Sequence, residues 1–194
     1  MNDNTRELRK ARTGNFFLGL VQIILNPRQG WTDAEKDRYS YRELLLTGFI
    51  PLLIIVGVAP LTSAYFKLSM TYTEAIISGV IDFSGYFVSV YLCAYLLEWG
   101  LEKWVGPKKA SQNSLMTFII YTISVMAFIT LLTDVLPVDL SLWSFLPLYV
   151  IYIIWCGGRF LGIPSDRKPQ FLAVGLLGLF CPPYIILYCL SFLV

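Results

Sequence analysis

Five stretches of this chain are each long and apolar enough to cross a lipid bilayer, and nothing else in the sequence restricts its fold as much. They run from about 44 to 66, 74 to 99, 114 to 136, 140 to 161 and 170 to 194. Each exceeds the roughly 20 residues that a tilted helix needs to span the hydrocarbon core. Inside lipid a backbone must satisfy its own amides and carbonyls, and a helix does so within one segment. Only 14% of the 194 residues are charged, whereas soluble domains average about 25%. The expected fold is all-α: a polytopic membrane protein whose five transmembrane helices share one bundle, residues 44–194. A bundle of that size leaves no room for a separate soluble catalytic module.

Residues 1–43 read as a cytoplasmic N-terminal segment. Within it, residues 15–25 are apolar except for a narrow stripe: Asn15, Gly19, Gln22 and then Asn26 recur at gaps of four, three and four. A helix of that length covers only about 17 Å, too short to cross. The expectation is an amphipathic helix lying in the membrane interface. Arg6, Arg9, Lys10 and Arg12 precede it and would hold it on anionic lipid headgroups. Asn26-Pro27-Arg28 follows, not the small residues of a signal-peptide cleavage site. The run Asn26 to Trp31 reads as a turn that ends the helix. Thr32 and Glu35 have capping-box spacing, which points to a short helix starting there.

Charge placement orients the bundle. With five spans, 14 of the 15 lysines and arginines fall on one side: eight in the N-terminal segment, three after the second span and three after the fourth. Positive loops stay cytoplasmic, so the N-terminus is expected in the cytoplasm and the C-terminus on the opposite side. Trp99, Trp104 and Trp155 then lie at the cytoplasmic interface and Trp143 at the other.

The absences are equally directive. The chain has no histidine, which removes the commonest general base and metal ligand. Its four cysteines, Cys93, Cys156, Cys181 and Cys189, lie in apolar segments without CxxC spacing and read as packing residues, with a disulfide at Cys189 as the alternative. There is no GxSxG and no Gly-rich phosphate loop. No enzyme activity and no cofactor are expected. Dispersed cations lend nucleic-acid binding no support.

One span carries an anomaly. In residues 75–93 the small or polar residues Ala75, Gly79, Asp82, Gly85, Ser89 and Cys93 recur at helical spacing, a face that should look into the bundle. Asp82 would lie about 12 Å deep, and an intramembrane carboxylate marks a functional-site hypothesis. No span offers it a cation at that depth. It is protonated, hydrogen-bonded to hydroxyls, or bound to a cation. The candidate cluster around it is Tyr121, Ser124, Tyr149, Tyr184 and Tyr188. Pro182 and Pro183 interrupt the fifth span and predict a helix break whose freed carbonyls face Asp82. At the cytoplasmic rim, Glu98 and Arg159 form a candidate pair, with lipid phosphate as the other partner for Arg159.

The motif LVQIILNPRQGW at residues 20–31, the proline-containing span after it and the order of five spans resemble the Yip family, the Ypt/Rab-interacting proteins and their bacterial relatives. The likeness covers nearly the whole chain. It implies an all-helical membrane domain with a cytosolic N-terminus. The short basic N-terminal segment looks like the bacterial branch, which implies the bacterial cytoplasmic membrane and no Rab partner. The expected role is a non-enzymatic scaffold that organises membrane or binds protein partners, itself included. The alternative is an ion, proton or small-solute transporter built on Asp82 and the Pro182-Pro183 break.

Overall fold

A computed structural model describes residues 15–36, 40–66, 71–106, 110–136 and 146–192. The basic cluster Arg6 to Arg12, Trp143 and the last two residues lie outside them. The described residues form helices and connections, with no strand among them. The helices are α1 (Asn15–Leu25), α2 (Pro27–Lys36), α3 (Tyr41–Tyr65), α4 (Tyr72–Val105), α5 (Gln112–Val135), α6 (Leu146–Phe160) and α7 (Ser165–Ser191). Four of them, α3, α4, α5 and α7, are long and apolar enough to cross a membrane. The stretch 140–161 contributes a helix of only 15 residues, about 22 Å long.

Neighbouring helices alternate in direction. Gly57 of α3 meets Gly79 of α4, and Tyr86 of α4 meets Met126 and Thr130 of α5. Gly157 of α6 packs on Phe118, and Phe171 of α7 packs on Gly158. One end of the bundle thus gathers Lys36, Lys103, Arg159, Arg167 and Lys168; it is called the basic end below. The chain enters α4 at the far end through a capping box, in which the Thr71 hydroxyl accepts from the Glu74 amide and Glu74 accepts from the Thr71 amide. It leaves α4 at Gly106, whose φ of 110° suits only glycine, and the Arg167 guanidinium donates to the Val105 carbonyl there.

α5 is the axis of the bundle. Every residue from Leu115 to Ala127 is buried, so this helix meets protein all round. α3, α4, α6 and α7 each bury one side and expose apolar residues on the other, as with Ile76, Val80, Val88, Tyr91 and Tyr95 of α4. That is the surface expected of a helix facing lipid tails.

α1 and α2 depart from the sequence expectation. α1 does not bury only in an interface. Phe16, Leu20 and Ile23, spaced by four and three, are essentially inaccessible and belong to the same core as the spans. Asn26 alone makes the turn, and Pro27 opens α2, where its missing N–H costs nothing. Gly30 is a helix residue, not a turn residue. A Cβ there would lie 2.7 Å from the Ile23 backbone, so glycine permits α2 to fold back flat onto α1. Gln22 donates to Asp33 across the pair at 2.5 Å. Thr32 does not cap a helix either; its hydroxyl donates to the Arg28 carbonyl one turn back. Trp31 then inserts between α5 and α6. It is 2% exposed, its indole N–H donates to the Ile153 carbonyl at 3.1 Å, and its ring lies against Phe118 and Phe160.

Candidate functional site

The small-residue face of α4 is buried as its spacing requires. Ala75, Gly79, Gly85, Ser89 and Cys93 are buried, and Asp82 is half-buried among them. The face serves two neighbours. Gly79 lies against the Gly57 carbonyl of α3, and Gly85 against Leu187 of α7. Close approach of backbones through small residues is what holds helices together where lipid supplies no hydrophobic drive.

Around Asp82 the structure assembles groups that the sequence reading did not choose. Asp134, near the end of α5, lies within electrostatic range of Asp82. One turn further into the bundle, the buried Tyr86 hydroxyl sits 2.6 Å from the Thr130 hydroxyl and 3.4 Å from the Met126 carbonyl. Ser63 of α3 donates to the Asp134 backbone carbonyl at 2.7 Å. Asp82 and Tyr86 are four residues apart on α4; Thr130 and Asp134 are four apart on α5. Two such pairs on antiparallel helices meet face to face. That double spacing was the available signal.

Of the expected cluster, Tyr184 alone borders this group, close enough to Tyr86 to interact with it electrostatically. Ser124 is buried but donates to the Ile120 carbonyl of its own helix at 2.7 Å. Tyr121 stacks on Phe16, centroids 5.3 Å apart, and its hydroxyl end lies against Gly19. Tyr149 donates to the Ile24 carbonyl of α1 at 2.8 Å. Tyr188 is exposed and meets Phe192 edge-on.

Pro182 and Pro183 do not break α7. The helix continues through them, and the turn before them, Leu176–Phe180, widens to π-helical hydrogen bonding. The Leu179 carbonyl, without a Pro183 N–H to accept, takes the Cys93 thiol at 3.7 Å. It therefore serves Cys93, three turns along α4 from Asp82. All four cysteines are free thiols.

A family model described as the Yip1 domain matches residues 21–191. The chain belongs to the Yip1 domain family. The match runs from the middle of α1 to the end of α7, so it takes in the α1–α2 pair and every membrane helix. No curated protein and no solved structure matches the chain. The chain is a multi-pass membrane protein of that family.

In this Yip1 domain two polar openings among the described residues lie at the basic end. Arg159 makes no ion pair among the described residues. It lines a cavity of about 280 Å³ with Arg28 and Lys168. A second cavity, of about 260 Å³, opens between α2 and α5 and includes Thr117, whose hydroxyl is buried without a hydrogen-bond partner among the described residues.

Proposed function

We propose that this Yip1-domain protein is a non-enzymatic membrane scaffold that crosses the bilayer five times, its basic end in the cytoplasm. The observation that carries the reading is the burial of α5: thirteen consecutive residues, Leu115 to Ala127, are closed in by protein. Transport needs a polar path through the middle of the bundle, and the helix at the middle of this one is enclosed by protein, its Thr122 and Ser124 hydroxyls bonded to their own backbone. Near Asp82, the Ser63 bond to the Asp134 carbonyl and the Tyr86–Thr130 bond then hold the far ends of α3, α4 and α5 together.

The directions of the helices support five crossings. α5 ends at the far end and α7 begins at the basic end, so the chain between them must travel the length of the bundle. α6 lies between them in the chain, antiparallel to α5. The excess of cations at one end supports a cytoplasmic placement of that end. Partners on this reading are lipid and other membrane proteins, met through the exposed apolar sides of α4 and α7. The experiment is flux. Proteoliposomes carrying the wild type should leak protons, potassium and sodium no faster than protein-free vesicles across pH 5–8. Protein-dependent flux that Asp82→Asn abolishes would overturn the scaffold in favour of the transporter.

A further inference from the structure

The cavity between α2 and α6 has a composition that a structural joint does not need. Arg28 on α2, Arg159 on α6 and Lys168 at the start of α7 open onto it together, against a single carboxylate, Glu35. None of the three cations makes an ion pair among the described residues; the Lys168 ammonium rests 5.7 Å from the Trp155 ring centroid. Like charges gathered on one cavity repel, and an anion among them removes that cost while accepting charge-assisted hydrogen bonds from the guanidinium forks. The floor is Trp31, fixed by its bond to Ile153. The rim is Trp155, and Trp99 and Trp104 are exposed at the same end of the bundle. Tryptophans at the ends of membrane helices sit at headgroup level, so the cations are placed where lipid phosphates are.

We propose that this cavity is a binding site for a phosphate group, supplied by the headgroup of an anionic membrane phospholipid. Arg28 and Arg159 hold the phosphate oxygens from opposite helices, and Lys168, backed by Trp155, closes the side. Its volume of about 280 Å³ is at the low end of small-ligand cavities and takes a headgroup, with the acyl chains left to the bilayer. Because α2 supplies Arg28 and α6 supplies Arg159, an occupied site clamps the α1–α2 pair to the bundle. The inference holds whether the bundle is a scaffold or a transporter.

The test is native mass spectrometry of the full chain released from bilayers of phosphatidylglycerol and phosphatidylcholine in equal amounts. Wild type should retain phosphatidylglycerol in preference. Arg28→Gln, Arg159→Gln and Lys168→Gln should each reduce that preference about fivefold, the usual effect of one cation near an anionic surface. Lys103→Gln, at the same end but outside the cavity, should leave it unchanged. Saturable binding of inorganic phosphate in detergent, lost in the same three variants and without any lipid preference, would support phosphate recognition and assign its source to a soluble compound. Equal losses from Lys103→Gln and the cavity variants, or no loss from any, would overturn the site. Thermal unfolding of each variant without lipid separates a lost site from a lost fold.

Discussion

Single residues here show how a membrane protein disposes of its polar groups. Asp82 and Asp134 lie within electrostatic range of each other, so the two carboxylates repel wherever both are charged. Asp82→Asn should therefore leave stability unchanged or raise it by about 1 kcal/mol, on the order of one like-charge contact. Thermal unfolding in detergent reads this. A cation site would give the opposite result, a loss together with the disappearance of any salt-specific stabilisation. Asp33, outside the spans, has the reverse situation. Lys36, then Gln29 and Gln22, hold its carboxyl below the usual aspartate value of 3.8. A lowered folded-state value means that its contribution is present above the unfolded value and lost as pH falls through the folded one. The α1–α2 pair should loosen only below about pH 4. Amide exchange of α1 should show that step, and Asp33→Asn should lack it. Trp31 is the other decisive residue. Trp31→Ala should cost about 3 kcal/mol or more, and Trp31→Phe about 1 kcal/mol, the indole hydrogen bond alone.

At the scale of elements, prolines and glycines decide how these helices run. Two of the three π-helical turns among the described residues end two residues before a proline: Leu45–Phe49 before Pro51, and Leu176–Phe180 before Pro182 and Pro183. A proline removes the N–H that would close the preceding α-turn. Widening that turn by one residue lets the helix continue where a break was expected. The residues say that a defect must occur; they do not say whether packing will repair it. For α7 the repair includes Cys93, on another helix. The α3–α4 crossing is set by two glycines of unequal tolerance. A Cβ on Gly57 would sit 3.1 Å from the Gly79 carbonyl oxygen, whereas a Cβ on Gly79 would collide with the Gly57 carbonyl. Gly79→Ala should destabilise by about 1–3 kcal/mol, as overpacking does. Gly57→Ala should cost clearly less, and denaturant unfolding of the two variants gives the comparison.

The whole molecule makes the number of crossings measurable. An odd number puts the two ends of the bundle's chain on opposite sides of the membrane. Cys189 is an exposed free thiol near the end of α7. In a variant with Cys93, Cys156 and Cys181 replaced by alanine, an impermeant maleimide should label Cys189 only from the side opposite the N-terminus. Labelling from the same side would mean four crossings, with α6 lying within the bundle and not through the membrane.

Where the long apolar helices lie, and that the chain is a membrane protein, was determined by the sequence alone. Lipid admits few backbone solutions, so a run of 20 apolar residues leaves little to choose. The small-residue face of α4 was legible for the same reason: period and size are properties of one helix. The partners of that face were not. Tyr149 and Ser124 lie at suitable depths, yet one bonds α1 and the other its own backbone. Asp134, near the end of α5, comes within electrostatic range of Asp82. Depth along a helix is a local quantity, and rotation about its axis relative to five neighbours is not. The same limit hid the packing of α1 and α2. Arg28, Thr32 and Glu35 share one face by spacing, but only the fold brings Arg159 and Lys168 to it. Tertiary packing decided which charges share a cavity, because that depends on which helices touch.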